Sequence, residues 1–393
     1  MPATWDIDPY SDEVLASPQA FYAELRKRGP LVWLERYNAW ACGRYEEVKT
    51  IFGDWERFCS SRGVGLTDFA TEAPWRPPSI ILEVDPPEHD RTRAVMMRTL
   101  SARAVNELDN AFRAEARAMV GALATGDKID AVDRLSTAYP LKVFPDAVGL
   151  ADGDRENLLI YANMVFNALG PDNAIRQKAL ADAAPIQAWI AERCARASLA
   201  PGGFGAAIYG AVDDGEISEE EAGLLVRSLL SAGIDTTVGG LGVLLLCLAQ
   251  NPEQYALLRE DPRLRRNAFE EALRVQSPIH TFCRTAAIDT EVSGVPIKEG
   301  DKILCVLWSA NTDPAHWDNP DAFDVRRPAA GHLGFGIGPH ACVGRQVARL
   351  EAQAVLDALC DKIAAIELAG APVFRPGNAL IVLASLPLRL HPA

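Results

Sequence analysis

The sequence predicts a mainly α-helical protein, with one large helical domain and a smaller β-rich region formed by the N-terminal and C-terminal parts. Apolar residues recur at spacings of three and four through the middle of the chain, which is typical of amphipathic helices. Short alternating patterns, typical of strands, are confined to the two ends. A length of 393 residues would suit two average domains. Because no linker interrupts the pattern, we expect a single domain over residues 1–393.

The N-terminal third contains the first strands and a long irregular stretch. Residues 31–35 and 39–43 are two short strand patterns around a three-residue turn, which predicts a hairpin. A helical pattern follows over 45–52. Residues 60–89 show no periodicity and are rich in glycine and proline. A stretch of that length inside a compact domain is usually functional, so we expect a lid or a binding loop there.

Four helices are predicted in the middle of the chain, over residues 102–124, 130–148, 154–169 and 174–197. In the C-terminal third we expect a helix near 267–274 and short strands over 291–307. An irregular meander at 311–328 and a glycine-rich loop at 331–341 then precede a last helix over 343–365.

A longer helical pattern separates these two parts. Ser218 followed by Glu221 is the signature of a capping box, and the apolar pattern continues to Gln250. About 33 residues at 1.5 Å each give a helix of roughly 50 Å, which must cross the body of the protein. Its interior, residues 231–240, contains glycine, aspartate and two threonines, all poor helix formers. Poor helix formers inside an otherwise strongly predicted helix indicate a functional site.

Composition excludes several classes of function. The chain has 39 Lys and Arg against 53 Asp and Glu, a net charge of −14, which argues against nucleic acid as a partner. None of its eight cysteines forms a CxxC pair, so a zinc site or a redox dithiol is not expected. The apolar run at 241–248 is short of the roughly 20 residues that span a membrane. The N-terminus has no apolar signal core. We therefore expect a cytoplasmic protein with no membrane partner.

The glycine-rich loop contains one cysteine in a distinctive setting. The loop resembles the haem-thiolate segment FGxGxHxCxG of the cytochrome P450 family, and the fixed positions are Phe335, Gly336, Gly338, His340, Cys342 and Gly344. The resemblance implies a P450 fold with a buried haem b and Cys342 as the iron ligand. The chemistry agrees, because a thiolate ligand favours O–O cleavage and glycines let backbone N–H groups approach the sulfur. A helix that begins just after Cys342 also stabilises a thiolate.

The resemblance extends along almost the whole chain. Glu271 and Arg274 match the family's ExxR pair, a structural pair completed by an arginine of the meander, here Arg326 or Arg327. Residues 232–236, AGIDT, resemble the family's oxygen-activating signature. The resemblance implies that Thr236 holds a water, Asp235 relays protons, and Gly233 beside Ala232 leaves room for oxygen. An intact acid–alcohol pair implies electron-driven monooxygenation.

Haem carboxylates need cationic partners once they are buried. His89 and Arg93 share one helix face, Arg284 lies in a strand pattern, and His340 precedes the cysteine by two residues. In the family's positions, these four side chains are the expected propionate partners.

Two pairs of residues suggest the substrate. Arg227 and Ser228 lie in an apolar helix face, and Ser228 is eight residues, about 12 Å, before Thr236. The irregular stretch offers a second such pair, Arg76 and Ser79. Because the planar donors of arginine suit a carboxylate, an anion held here would place a one-ring molecule against the iron. Alternatively, Arg227 pairs with a surface acid.

Within the family, the chain resembles the group that oxidises para-substituted benzoates, including 4-methoxybenzoate O-demethylation. The similar segments are 60–66, 74–79, 144–147, 165–171, 200–205 and 224–233. The apolar pocket that this resemblance implies consists of Leu82, Val165, Phe166, Leu169, Ile279 and Phe282. The group commonly has an aromatic residue at the position of Leu169, and leucine there would widen the pocket.

The expected activity is hydroxylation or O-demethylation of a small aromatic carboxylate, with O2 and electrons from a [2Fe-2S] ferredoxin and its reductase. A basic patch of Arg91, Arg98, Arg103 and Arg345 is the expected docking face for an acidic ferredoxin. Two alternatives stay open. The chain could oxidise a different aromatic or a terpenoid, or it could be a haem-bound sensor or carrier without turnover, which the intact Asp235 and Thr236 disfavour.

Overall fold

The computed structural model describes residues 3–393, and helices dominate this range. The helices are α1 (Asp12–Ala16), α2 (Gln19–Arg28), α3 (Tyr45–Gly53), α4 (Glu88–Thr99), α5 (Ala102–Glu107), α6 (Asp109–Leu123), α7 (Ala138–Val148), α8 (Glu156–Asn167), α9 (Ala174–Leu180), α10 (Ala183–Cys194), α11 (Phe204–Asp213), α12 (Glu219–Ala232), α13 (Asp235–Gln250), α14 (Pro252–Glu260), α15 (Arg265–Val275), α16 (Leu307–Asn311) and α17 (Arg345–Lys362). The mainly α prediction is therefore confirmed.

The strands are β1 (Ala3–Trp5), β2 (Val32–Leu34), β3 (Ala39–Cys42), β4 (Phe58–Cys59), β5 (Lys128–Asp130), β6 (Thr281–Ala286), β7 (Thr290–Val292), β8 (Val295–Ile297), β9 (Lys302–Val306), β10 (Ile363–Leu368), β11 (Val373–Arg375), β12 (Val382–Ser385) and β13 (Pro387–Pro392). The largest sheet has the order β1-β2-β3-β9-β6-β4, so the C-terminal strands β9 and β6 lie between N-terminal strands. The predicted hairpin is β2 and β3, paired antiparallel, with Asn38 in the left-handed conformation at the turn.

The long central helix is present but interrupted. Its capping box is formed as predicted, since the Ser218 hydroxyl accepts from the Glu221 N–H while the Glu221 carboxylate accepts from the Ser218 N–H. The expected continuous helix is wrong at Gly233 and Ile234, which separate α12 from α13. There, the Thr236 hydroxyl donates to the Ala232 carbonyl at 2.6 Å and the Thr237 hydroxyl donates to the Gly233 carbonyl at 3.1 Å. Side-chain donors of this kind compete with the helical backbone bonds and bend a helix.

The span Glu219–Gln250 is long and apolar enough to cross a membrane by length and composition alone. However, 83% of its most apolar window is buried within the protein. Leu241, Val243, Leu244 and Leu245 on α13 are fully buried, and they belong to the largest apolar core of the fold. The apolarity of this helix is therefore accounted for by packing against neighbouring elements.

Other predicted helices are shorter than the periodicity suggested. The pattern over 102–124 is two helices, α5 and α6, and the pattern over 174–197 is α9 and α10. The pattern over 130–148 begins as a π-helical segment, Val132–Thr137, before α7. The last helix, α17, ends at Lys362, and the following residues form β10. None of these breaks involves a glycine or a proline, which explains why the sequence did not indicate them.

A buried ion cluster fixes the meander to α15. Arg274 and Glu271 are both fully buried, and they make two hydrogen bonds of 2.7 and 2.9 Å. The third member is Arg327, whose Nε donates to Glu271 at 2.9 Å, and not Arg326. Arg274 also donates to the carbonyls of Asn311 and Pro320. One guanidinium thus satisfies backbone groups that the irregular chain leaves without partners.

We predict that Arg274→Ala destabilises the fold by about 3–5 kcal/mol, because it leaves Glu271 buried beside a single cation and frees several buried carbonyls. The measurement is the midpoint and slope of chemical denaturation of the haem-loaded protein. Arg263→Ala is the control, since the side chain of Arg263 is 90% exposed in its pair with Asp261, and no measurable change is expected. Equal stabilities of the Arg274 variant and the parent would contradict this role.

Candidate functional site

A cavity of about 260 Å³ lies between the α12–α13 interruption and the loop that precedes α17. It is lined by most of the predicted site residues, namely Arg76, Ser79, Leu82, Arg93, Val165, Phe166, Leu169, Ser228, Ala232, Gly233, Thr236, Ile279, Phe282, Arg284, Phe335, Gly336, His340, Cys342 and Gly344. The predicted residues that do not line it are His89, Arg227, Asp235, Glu271 and Arg274. The cavity therefore joins segments that are more than 250 residues apart in the sequence.

Cys342 is held by backbone hydrogen bonds at one wall of the cavity. Its N–H donates to the Phe335 carbonyl at 2.7 Å, which closes the glycine-rich loop into a compact turn. Gly336 and Gly338 have φ values of +65° and +74°, a region that glycine alone adopts freely. Burial raises the pKa of the Cys342 thiol, while backbone N–H groups of Gly344 and Arg345 lower it. These N–H groups begin α17, so they present donors to a thiolate.

Cationic side chains converge on the same part of the cavity. Arg284 is fully buried, and its Nη1 donates to the neighbouring Cys283 carbonyl. Arg93 donates to the Ala341 carbonyl at 2.5 Å. Burial lowers the pKa of both guanidinium groups. Within residues 3–393, neither arginine has a carboxylate in ion-pair contact, so both charges lack a counterion.

His89 and His340 complete this group. Their rings lie 4.5 Å apart, and the Nε2 atom of each is buried without a hydrogen-bond partner in the described range. The nearest acid to His340 is Asp85, at 3.6 Å. Unpaired buried donors are rare in folded proteins and indicate a missing ligand group.

These observations test whether the residues fit a haem. A haem offers two carboxylates at one edge and an iron that takes an axial ligand. The cavity offers two guanidinium groups without counterions, the Nε2 atom of His340 without a hydrogen-bond partner, and one thiol with backbone donors beside it, and His89 lies next to His340 behind the lining. The donors match the two kinds of group that a haem presents, so the chain fits this cofactor.

The acid and the alcohol of the central helix point in different directions. Thr236 lines the cavity, whereas Asp235 is 2% exposed and lies behind it. Asp235 forms an ion pair of 3.4 Å with Arg375 of β11, whose side chain is 48% exposed. Burial raises the pKa of Asp235, and Arg375 opposes that rise. The pair thus connects the wall of the cavity with the surface, and sequence reasoning missed Arg375.

Packing gives a reason of its own for glycine at position 233. A Cβ atom at this position would lie 2.3 Å from a ring carbon of Phe144, far inside van der Waals contact. Phe144 itself lines the cavity. The direction in which a side chain would project is therefore filled by an aromatic ring, while Gly233 itself lines the cavity, so the expectation that it leaves room for oxygen stays a prediction.

The far end of the cavity carries the predicted anion-binding groups, with one addition. The Ser79 and Ser228 hydroxyls are 3.3 Å apart. Arg76 donates to Glu83 at 3.1 Å, and Glu83 also accepts from the Ser79 N–H at 2.7 Å. Glu83 is buried at 7% exposure and was missed by the sequence reasoning, because an acid in a loop gives no local signal.

The prediction for Arg227 is wrong in both of its forms. Its guanidinium does not line the cavity, and among residues 3–393 it has no acidic partner in ion-pair contact. Instead, its Nη2 donates to the carbonyls of Pro77 and Pro78 at 2.9 and 3.2 Å. Proline-rich backbone has carbonyls to satisfy but few N–H groups, so an arginine is a suitable partner. Arg227 thereby holds the irregular loop against α12.

One further buried acid lines the cavity. Glu351 shares a face of α17 with Gly344, Val347 and Ala348, and neither of its carboxylate oxygens has a hydrogen-bond partner in the described range. Burial raises the pKa of Glu351 well above its usual value, so the neutral acid is favoured. The helical spacing of 344, 348 and 351 could have revealed this position.

The predicted basic docking patch is largely neutralised. Arg91 pairs with Glu221, Arg98 pairs with Glu216 and Arg103 pairs with Glu107. Of the four arginines, Arg345 is the one without an ion pair among the residues that the structure describes. These pairs are largely solvent-exposed, and the expectation that this patch docks an acidic ferredoxin stays a prediction.

Comparisons with known proteins agree with this fold and site. A sequence profile of the family Cytochrome P450 matches residues 204–360. The chain is 54% identical over 388 residues to cytochrome P450 CYP199A2 of Rhodopseudomonas palustris, covering 98% of this chain and 94% of that protein. It is 31% identical to cytochrome P450 107B1 of Saccharopolyspora erythraea, over 93% of each. The solved structure of cytochrome P450 CREJ in complex with (4-ethylphenyl) dihydrogen phosphate matches with a TM-score of 0.88 at 27% identity, covering 98% and 99%.

A helical fold around a cavity with a loop cysteine is the architecture of a haem-dependent oxygenase. The chain belongs to the cytochrome P450 family. It is accordingly a P450 monooxygenase with haem b as its cofactor, and it uses O2 and electrons from a redox partner.

We predict that Gly233→Ala costs about 1–3 kcal/mol of stability, because the added methyl group overpacks against Phe144. The measurement is a double-mutant cycle with Phe144→Ala by chemical denaturation. In the Phe144→Ala background the cost should be largely relieved, since the opposing ring is gone. Additive effects of the two substitutions would contradict this contact.

Proposed function

We propose that this P450 hydroxylates or O-demethylates a small aromatic carboxylate such as 4-methoxybenzoate. The observation that carries the proposal is the polar cluster at one end of an otherwise apolar cavity. The carboxylate cluster, named for the substrate group that it would bind, consists of Arg76, Ser79, Glu83 and Ser228, and Arg227 lies behind it on the carbonyls of Pro77 and Pro78.

The charge of the carboxylate cluster supports an anionic ligand. Arg76 pairs with Glu83, whereas Arg227, buried directly behind this pair, has no acid in ion-pair contact among residues 3–393. The cluster and Arg227 together therefore have one excess positive charge in a buried place. Burying an unpaired charge is costly, and the carboxylate of a bound ligand would remove that cost. The hydroxyls of Ser79 and Ser228 can donate to it directly.

Size also supports a single-ring substrate. Ser228 and Thr236 lie eight residues apart along the α12–α13 axis, or about 12 Å. A benzoate with a short para substituent is shorter than this distance, so its far end can approach the wall that carries Thr236. Between the two ends, the lining side chains are apolar, namely Leu82, Val165, Phe166, Leu169, Ile279 and Phe282.

The ligand of a structural relative is consistent with this arrangement. The cytochrome P450 CREJ structure contains (4-ethylphenyl) dihydrogen phosphate, an arene with an anionic group para to an alkyl group. The same pattern of anion, ring and para substituent is what the cavity of this chain would accept. Leu169 is smaller than an aromatic side chain, so longer para substituents should fit as well.

For the cofactor, we propose Cys342 as the iron ligand and Arg93, Arg284, His89 and His340 as the partners of the two propionates. The haem, when bound, supplies the reductive activation of O2 that this family uses. The backbone donors around Cys342 stabilise a thiolate, and the loop around it keeps water away from the sulfur. The two guanidinium groups and the two imidazole rings would hold the carboxylate edge and fix the orientation of the ring.

For proton handling, we propose that Asp235 takes protons from the surface and Thr236 presents them inside the cavity. The ion pair with Arg375 places Asp235 at the boundary between the two. The Thr236 hydroxyl donates to the Ala232 carbonyl, so its oxygen is free to accept from a water in the cavity. Leu229 and Phe144 beside this position limit the entry of bulk water.

The electron donor that we propose is a [2Fe-2S] ferredoxin with its reductase. Arg345 lies at the start of α17, three residues after Cys342, and is exposed. The ion pairs of Arg91 and Arg98 are also exposed, so an acidic partner could exchange with their present acids. We further propose that residues 1–393 form one domain, which the interleaved strand order supports, and that the protein is cytoplasmic.

The proposed substrate predicts a selective spin-state change. Titration of the ferric protein with 4-methoxybenzoate should shift the Soret band toward the high-spin form, whereas the methyl ester should not. Glu83→Gln should tighten binding of the acid but not of the ester, because it removes a negative charge while keeping the hydrogen-bond geometry. The matched control is Glu72→Gln, an exposed acid of the same loop.

Two outcomes would decide against the proposal. If no para-substituted benzoate shifts the Soret band, the substrate class is wrong. If the acid and the ester bind equally well, the carboxylate cluster does not recognise the negative charge of the substrate carboxylate. A ferrous–CO band at the thiolate position, lost in Cys342→Ala, tests the ligand separately and shows whether the protein was competent.

The proposed proton route predicts a pH effect. Asp235→Asn should slow product formation by about 100-fold with little change in substrate affinity. In Arg375→Ala the pKa of Asp235 should rise further, because burial then acts unopposed. The acid limb of the rate profile should therefore move to higher pH. Arg389→Ala removes an equal charge from a strand outside the cavity lining and should leave the profile unchanged. An unshifted profile for Arg375→Ala would refute the role of this pair.

A further inference from the structure

Two segments that are distant in the sequence pack together beside the cavity, and we call them the roof segments. The first is the α8–α9 turn, residues 167–173, which contributes Leu169 to the lining, and the second is residues 376–382, which lie behind that turn. Together with Ile279 and Phe282, these segments and the end of α8 form a small apolar cluster separate from the main core. Phe166 and Leu169 are the members of this cluster that the α8 end contributes to the cavity lining.

Side-chain amides join the two roof segments. Asn378, which is 1% exposed, donates from Nδ2 to the Asn167 carbonyl at 2.8 Å, and its N–H donates to Asn167 Oδ1 at 3.0 Å. Asn173 and Asn378 also exchange a reciprocal pair of bonds. Asn173 Nδ2 donates to Asn378 Oδ1 at 2.8 Å, and Asn378 Nδ2 donates to Asn173 Oδ1 at 3.1 Å.

Close packing fixes the position of the turn relative to these amides. A Cβ atom at Gly170 would lie 2.4 Å from Cβ of Asn378, and one at Gly65 would lie 2.5 Å from the Leu169 carbonyl oxygen. The Leu66 N–H donates to that same carbonyl at 2.9 Å. The turn is therefore held between the irregular loop on one side and Asn378 on the other, and Leu169 cannot shift unless one of them releases it.

We propose that Asn173 and Asn378 are positioning residues that clamp the roof and thereby determine how fast, and up to what size, ligands reach the cavity. Asn173 is half-buried at the end of the turn, so water can replace its two bonds when the turn opens. The hydrogen bonds between Asn378 and Asn167 are buried and would remain when the turn opens at Asn173. The turn would therefore pivot about Asn167. Opening at Asn173 would lift Leu169 and Phe166 from the cavity, which enlarges the entrance most for long ligands.

The substitution Asn173→Ser tests the clamp with little change elsewhere. Asn173 is also the N-cap of α9, where its Oδ1 accepts from the Arg176 N–H at 3.0 Å. Serine keeps this cap but is too short to bond Asn378. Asp172→Asn changes the neighbouring exposed residue of the same turn and is the matched control.

The readout is stopped-flow binding of imidazole and of 4-phenylimidazole to the ferric haem, which does not depend on the substrate class. In Asn173→Ser, association and dissociation of imidazole should both accelerate at least threefold. The larger azole should accelerate more. Amide hydrogen exchange of residues 167–173 should also increase, whereas Asp172→Asn should match the parent in all three measurements.

Asn378→Ser provides a second variant that removes the reciprocal pair from the other side together with the Nδ2 bond to the Asn167 carbonyl, so it should accelerate both azoles in the same order and at least as much. Unchanged binding rates in Asn173→Ser and Asn378→Ser would overturn the proposal. Equal acceleration of the two azoles would also overturn it, because a clamp on the roof must discriminate by size.

Discussion

The buried contact between Glu271, Arg274 and Arg327 determines where the haem-binding loop can lie. Arg274 and Arg327 donate to carbonyls along the meander, so an irregular chain keeps one conformation without regular backbone pairing. Asn311, at the start of that meander, accepts from the Leu333 N–H at 2.6 Å and thereby fixes the beginning of the loop. A cluster outside the cavity lining therefore supports the loop that carries Cys342 through the contacts of the meander.

A second set of contacts, between α15, α17 and the cysteine loop, also fixes the position of this loop. Glu270 pairs with His332 at 3.0 Å and with Arg349 at 2.7 Å, and the two cations lower its pKa to about 2. Arg349 in turn lies 5.3 Å from the ring centroid of Phe335, whose carbonyl accepts from the Cys342 N–H. Adjacent residues of α15 therefore anchor the meander and the cysteine loop separately, so the thiol is positioned from both directions.

The sequence predicted the parts of the site that depend on residues close together in the chain. The cysteine loop, the capping box and residues 232–236 each depend on spacing within a few positions, so they could be read directly. The partners of Arg227 and Asp235 could not, because Pro77 and Arg375 are about 150 and 140 residues away. Similarly, the interruption at Gly233 was visible as poor helix propensity, yet its cause, the ring of Phe144, depends on tertiary packing. The apolar periodicity also predicted several helices that are longer than those observed, because a helix break without glycine or proline has no recognisable sequence signal.

Positive charge without a counterion in the described range lies at two places, at Arg93 and Arg284 in the cavity wall and at Arg227 behind the carboxylate cluster. In a protein with a net charge of −14, acids were available to neutralise both. Keeping these guanidinium groups without counterions reduces the stability of the folded chain, and each deficit is removed only when an anionic ligand binds. Ligands that bind the native state alone also stabilise it. The guanidinium groups without counterions thus affect both the stability of the fold and the binding of ligands. They also explain why an otherwise apolar cavity can be selective for anions.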